Sequence, residues 1–122
     1  MKEMDLLNNI RLLLQREGIL TFRANVGKVK TPDGRYFDTG LPKGFSDLFC
    51  IRPDGKAVFI ECKIKPNKPT IEQCRFLITM QKQGCPAGVA FSMAEALEIA
   101  QWDDADEEKH SLRIYSYLTR YQ

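Results

Sequence analysis

The sequence predicts a mixed α/β fold in which one β-sheet is flanked by helices. Three observations carry that reading. Helical and strand-like periodicities alternate along the chain in the order α–β–(hairpin)–β–β–α–β–α. A tight Pro-Asp-Gly turn joins residues 46–52 to 57–63, so those two strands must be antiparallel. A helical segment then separates 57–63 from the apolar run 87–92, and such a crossover predicts a parallel neighbour.

Residues 3–17, EMDLLNNIRLLLQRE, place Leu6, Leu7, Ile10, Leu13 and Leu14 on one side of a helix, and Gly18 is positioned to end it. ILTFRAN, 19–25, is alternating and β-branched or aromatic, which predicts a strand. VGKVKTPDGRYFDTG follows, with a Pro-Asp-Gly turn that fits a short hairpin or an ordered loop. LPKG, 41–44, breaks the chain before the strands at 46–52 and 57–63, and IKPNKP, 64–69, is a loop. Thr70 and Gln73 have capping-box spacing at the start of TIEQCRFLITMQKQG, which Gly84 closes. AGVAFS, 87–92, suits a buried strand, and Ser92 with Glu95 opens a further helix, MAEALEIAQW. SLRIYSYLTRYQ alternates weakly and fits either an edge strand or a C-terminal helix.

With 122 residues, 43% hydrophobic and 28% charged, the chain is expected to form one domain over 1–122 with its own core. The net charge of +2 gives no global basic signature, so any nucleic-acid surface must come from local clusters such as Arg23-Lys28-Lys30-Arg35 and Lys63-Lys65-Lys68. DDADEE, 103–108, offsets them. Cysteines 50, 62, 74 and 85 lack CxxC spacing, and two of them fall in apolar strands, where Cys acts as a small hydrophobe rather than a zinc ligand. No apolar leader and no run of about 18 apolar residues is present, so an intracellular, soluble and reduced protein is expected, with no membrane partner.

The hairpin GFSDLFCIRPDGKAVFIECKIK holds two acids in apolar strands, Asp47 and Glu61, with Lys63 close behind. Strand alternation puts Phe59, Glu61 and Lys63 on one face, and Asp47, Phe49 and Ile51 on one face of the other strand. A two-residue loop would oppose Asp47 to Cys62 and separate the acids. Arg52-Pro53-Asp54-Gly55 instead fits a type I turn followed by a left-handed Gly bulge, the three-residue loop that opposes Asp47 to Glu61. Adjacent carboxylates raise each other's pKa, and a hard divalent cation such as Mg²⁺ relieves the repulsion. Lys63 could orient water or stabilise phosphate charge. A plain cross-strand Asp/Glu/Lys salt-bridge patch is the competing reading of these residues.

The arrangement D-x13-E-x-K resembles the PD-(D/E)xK nuclease signature. RANVGKVK, GLPKGFSDLF, ECKIKPNKPTIEQCRFL and GVAFSMAEALE, taken in that order over about residues 3–100, resemble its VRR-NUC (virus-type replication-repair nuclease) branch in stand-alone form. The resemblance implies a restriction-endonuclease-like core in the order α-β-β-β-α-β with a C-terminal helix. It implies a DNA endonuclease dependent on Mg²⁺ or Mn²⁺, with no small-molecule cofactor, acting in the cytoplasm of a bacterium or a phage-infected host. Asp47, Glu61 and the Cys62 backbone carbonyl would hold metal, and Lys63 would act on the attacking water. An acid on the first helix would join them, Glu3 being the better match and Asp5 its rival. Gln73 matches a helix glutamine near the active site. Cys62 stands where Val is more usual, which leaves its carbonyl unchanged.

Asn25, Lys28, Lys30, Lys43, Lys65 and Lys68 are expected to track phosphates without reading sequence. Specificity is then expected from DNA shape, with a branched substrate such as a Holliday junction the first choice and a symmetric homodimer the economical way to cut two strands. A non-catalytic DNA-binding or assembly module of the same fold, and a sequence-specific restriction-type nuclease, are the alternatives.

Overall fold

A computed structural model describes residues 1–103 and 106–119. Helix α1 (Glu3–Arg16) buries Leu6, Leu7, Ile10 and Leu14, a stripe spaced by three and four residues. Strand β1 (Leu20–Arg23) follows, then a short antiparallel pair, β2 (Lys28–Lys30) and β3 (Tyr36–Asp38). The segment around the first Pro-Asp-Gly is therefore a hairpin, and it forms a two-stranded sheet of its own.

Strands β4 (Leu48–Ile51), β5 (Ala57–Cys62) and β6 (Ala87–Ala90) complete the main sheet in the order β1-β4-β5-β6. β4 and β5 are antiparallel, while β6, reached through helix α2 (Ile71–Lys82), runs parallel to β5 as expected. Helix α3 (Met93–Ala100) and helix α4 (Glu107–Thr119) close the chain. The C-terminal segment is thus helical as far as Thr119, and residues 120–122 lie outside the described residues.

The strand period sorts the core onto two faces. Leu48, Cys50, Val58, Ile60 and Cys62 pack with α1 and α3. Phe49 and Phe59 pack on the other face with Cys74, Leu77 and Ile78 of α2 and Ile114 of α4. The second face is aromatic: the Phe59 ring centroid lies 5.5 Å from Phe49, 5.9 Å from Phe45 and 5.4 Å from Phe76. Among the described residues no helix is long and apolar enough to cross a membrane.

Candidate active site

The β4–β5 ladder pairs Ile51 with Ala57 and Leu48 with Ile60, so its next step opposes Asp47 to Glu61. The turn chemistry sets this register. Gly55 has φ +85°, its N–H donates to the Arg52 carbonyl at 2.8 Å, and the Arg52 N–H donates to the Lys56 carbonyl at 3.0 Å. This is the three-residue loop with a left-handed Gly. Both acids therefore extend the face floored by Phe49 and Phe59, with Lys63 one further step along it.

Glu61 is 1% exposed. Its Oε2 accepts the Asp47 backbone N–H at 3.2 Å and its Oε1 accepts the Gln73 side-chain amide at 3.1 Å. The Lys63 Nζ stands 3.9 Å from Oε1. Asp47 accepts the Cys62 backbone N–H at 2.9 Å. In extended backbone the N–H and C=O of one residue leave on the same side, so the Cys62 carbonyl shares the Asp47 edge of β5.

The electrostatics are those of an unneutralised acid pair. Burial, then the charge of Asp47 and a side-chain hydrogen bond with it, push the Glu61 carboxyl up from 4.5 to about 9, and Lys63 only partly opposes them. Burial first, then the charges of Asp47, Glu61 and Glu3, drive the Cys62 thiol up as well, so it stays a neutral core group.

Gln73 acts in both of its expected places. Its Oε1 accepts the Thr70 N–H at 2.9 Å and its own N–H donates to the Thr70 hydroxyl at 3.2 Å. With its oxygen engaged in the capping box, its amide NH₂ faces Glu61.

Two residues whose function was not legible from pattern alone hold Asp47 in place. Gly44, at φ +93°, packs so closely on α2 that a Cβ there would lie 2.5 Å from the Glu72 carbonyl oxygen. Ser46 is fully buried and its hydroxyl donates to the Leu48 carbonyl at 2.8 Å. The GFSD stretch is thereby pinned to the same helix turn that carries Gln73.

The remaining sequence candidates are more dispersed. Among the described residues no three His, Cys, Asp or Glu side chains gather at a distance that would hold a metal, so Glu3 does not join Asp47 and Glu61 in a three-acid cluster. Glu3 is half-buried on α1, whereas Asp5 is exposed and its carboxylate accepts the Lys2 N–H of its own helix start. Asn25, Lys28, Lys30, Lys43, Lys65 and Lys68 are all exposed. Lys43 pairs with Glu72 at 3.6 Å, and Lys65 lies 5.8 Å from the Phe91 ring centroid. The Ala24 N–H donates to the Asp47 carbonyl at 2.8 Å, which roots the β2–β3 arm beside the acids.

No family model matches the chain, and no curated protein matches it. Among solved structures, a chain described as a VRR_NUC domain superposes with a TM-score of 0.59 at 22% identity, covering 83% of this chain and 97% of that one. The chain has a VRR-NUC-like fold, a mixed four-stranded sheet flanked by helices.

Proposed function

We propose that the protein is a divalent-metal-dependent DNA endonuclease. The observation that carries the reading is the Asp47–Glu61 pair, with Glu61 buried at 1% exposure and its carboxyl raised first by that burial and then by Asp47. The donor set fits a hard cation: two carboxylates and the Cys62 carbonyl are oxygen ligands of the kind Mg²⁺ and Mn²⁺ take. Asp47, Glu61 and the Cys62 carbonyl would hold the ion, with Glu3 serving through water. When bound, such an ion supplies Lewis acidity for water activation and for charge on the leaving oxygen.

The chain's own groups do the rest. Glu61 would hold an ion as the carboxylate, and Gln73, donating to its Oε1, keeps that carboxyl group in place beside Asp47. Lys63, with its side chain 14% exposed, holds positive charge where a water and a phosphate would meet. Asn25, Lys28, Lys30, Lys43, Lys65 and Lys68, all exposed, hold backbone phosphates. Recognition by shape makes branched DNA, first a four-way junction, the substrate of choice, and a symmetric dimer would present two such sites to two strands.

The test is a cleavage panel of four-way junction, flap, fork and linear duplex with Mg²⁺, Mn²⁺ or EDTA. Metal-dependent cutting, abolished in Asp47→Ala while junction binding is largely kept, is the expected result. Metal-dependent cutting that persists in Asp47→Ala would sink the assignment. A folded, metal-bound protein that cuts nothing would favour the binding-module reading, and cutting of linear duplex at one sequence a restriction-type enzyme.

A further inference from the structure

A cavity opens between β6 at the end of the sheet, α3, α4 and the loop that follows Lys63. Its volume of about 570 Å³ is that of a small-molecule site. Lys65, Lys68 and Arg113 line it together with Phe91 and Tyr117, whose ring centroids lie 6.2 Å apart. Lys65 stands over the Phe91 face. Glu95, the one acid lining the cavity among the described residues, accepts the Phe91 N–H at 3.3 Å and so fixes that ring's backbone.

The same wall carries His110, 2% exposed, whose Nε2 has no hydrogen-bond partner among the described residues. An unmet polar atom at that depth calls for a ligand group or water. The imidazole stacks on Trp102 at 4.7 Å. Burial first, and the Arg113 charge next, lower its pKa, so it offers a neutral nitrogen to a polar edge.

We propose that this cavity takes one unpaired nucleotide of the DNA strand leaving the acid pair, its base against Phe91 and Tyr117 with an edge on His110, and its phosphate on Lys65, Lys68 and Arg113. Aromatic faces beside cations are how sequence-tolerant single-strand sites are built. Lys65 lies two residues from Lys63, so the cavity's basic wall begins in the loop that leaves the acid pair's strand. The inference rests on the nuclease reading and adds to its substrates branched DNA with an unpaired segment beside the cut.

The chain has one His and one Trp, so imidazole NMR resonances and Trp102 fluorescence report on this cavity without ambiguity. The wild-type protein in EDTA is titrated with a deoxynucleoside 5′-monophosphate, the deoxynucleoside and inorganic phosphate. The monophosphate should shift the imidazole and quench Trp102, with nucleoside or phosphate at least tenfold weaker. A duplex with a short single-stranded tail should displace it, and a blunt duplex should be at least tenfold poorer. Arg113→Glu should weaken nucleotide and tail binding at least tenfold while metal-dependent cutting of a blunt-armed junction persists. Tyr117→Leu serves if that variant does not fold.

No response to the monophosphate at 10 mM, or equal displacement by blunt duplex, overturns the proposal. So does a bound monophosphate that tailed DNA fails to displace, since the ligand would then be a free nucleotide. Cutting without an imidazole response sinks this cavity alone. An imidazole response to tailed DNA in a protein that never cuts sinks the nuclease reading alone.

Discussion

Replacing Glu61 by Gln should stabilise the metal-free protein at neutral pH while abolishing cutting. Gln has the shape of the protonated acid: it can accept from the Asp47 N–H or Gln73 and donate to the Asp47 carboxylate. In the unfolded chain Glu61 titrates near 4.5; in the fold, burial and Asp47 raise it to about 9. Below 4.5 the group is protonated in both states and imposes no penalty. Between those values the unfolded chain has lost a proton that the folded protein keeps, so stability falls as pH rises.

Each pH unit in that window costs about 1.4 kcal/mol, so wild type should lose about 3 kcal/mol between pH 5 and pH 7.5 on this account alone. Gln is neutral throughout and escapes the loss. The variant's advantage should therefore grow by about 3 kcal/mol over that range, or roughly 10 °C in melting temperature for a domain of this size. Urea or thermal melts of both proteins in EDTA at several pH values measure it. Adding Mn²⁺ at pH 7.5 should then raise the wild-type melt well above its EDTA value and move the variant much less. Parallel pH profiles for the two proteins would refute the claim that Glu61 is held as a desolvated acid against Asp47.

Further outcomes follow from the same contacts. Gly44→Ala should cost about 3 kcal/mol in urea melts and reduce cutting, because the new Cβ meets the Glu72 carbonyl at 2.5 Å on a left-handed backbone. Thr70→Ala should cost about 1 kcal/mol and leave cutting within a few fold, whereas Gln73→Leu should lower cutting at least tenfold at similar stability cost, since only Gln73 also touches Glu61. Equal cutting by the two would place Gln73 in the cap alone. Replacing Pro53-Asp54-Gly55 by a two-residue Asn-Gly turn should abolish the cooperative melt, because it sets the buried faces of β4 and β5 against each other. Inserting two residues keeps the parity, costs about 0.5 kcal/mol and preserves cutting.

The hairpin register was legible because it rests on neighbours in sequence: Arg52 to Lys56 close the turn, and the period of two carries that pairing to Asp47 and Glu61. The Thr70–Gln73 cap was legible for the same reason. Gly44 was not, because its constraint is the Glu72 backbone, 28 positions away, and no local pattern announces that approach. The C-terminal helix was ambiguous because its buried stripe includes a polar residue: His110 and Ile114 face inward, while Leu112 is 61% exposed and Tyr115 45%, which together mimic alternation. Phe91, Arg113 and Tyr117 meet only through packing of α4 near β6, so their cavity left no trace in spacing.

The two readings of the Asp/Glu/Lys trio make opposite statements about sign. A salt-bridge patch lowers the pKa of its acids, because the ammonium favours the charged form, and it stays at the surface, where desolvation is slight. Glu61 does neither: it is 1% exposed, and its carboxyl goes up despite a lysine 3.9 Å away. One ammonium faces two carboxylates, so the full ionisation of both leaves a net negative charge over a floor of phenylalanines, where low polarity strengthens repulsion and cation binding alike. Such a pair burdens the protein, and a divalent cation bound there, as proposed, would remove the burden. The pH dependence of Glu61→Gln measures how unfavourable that pairing is.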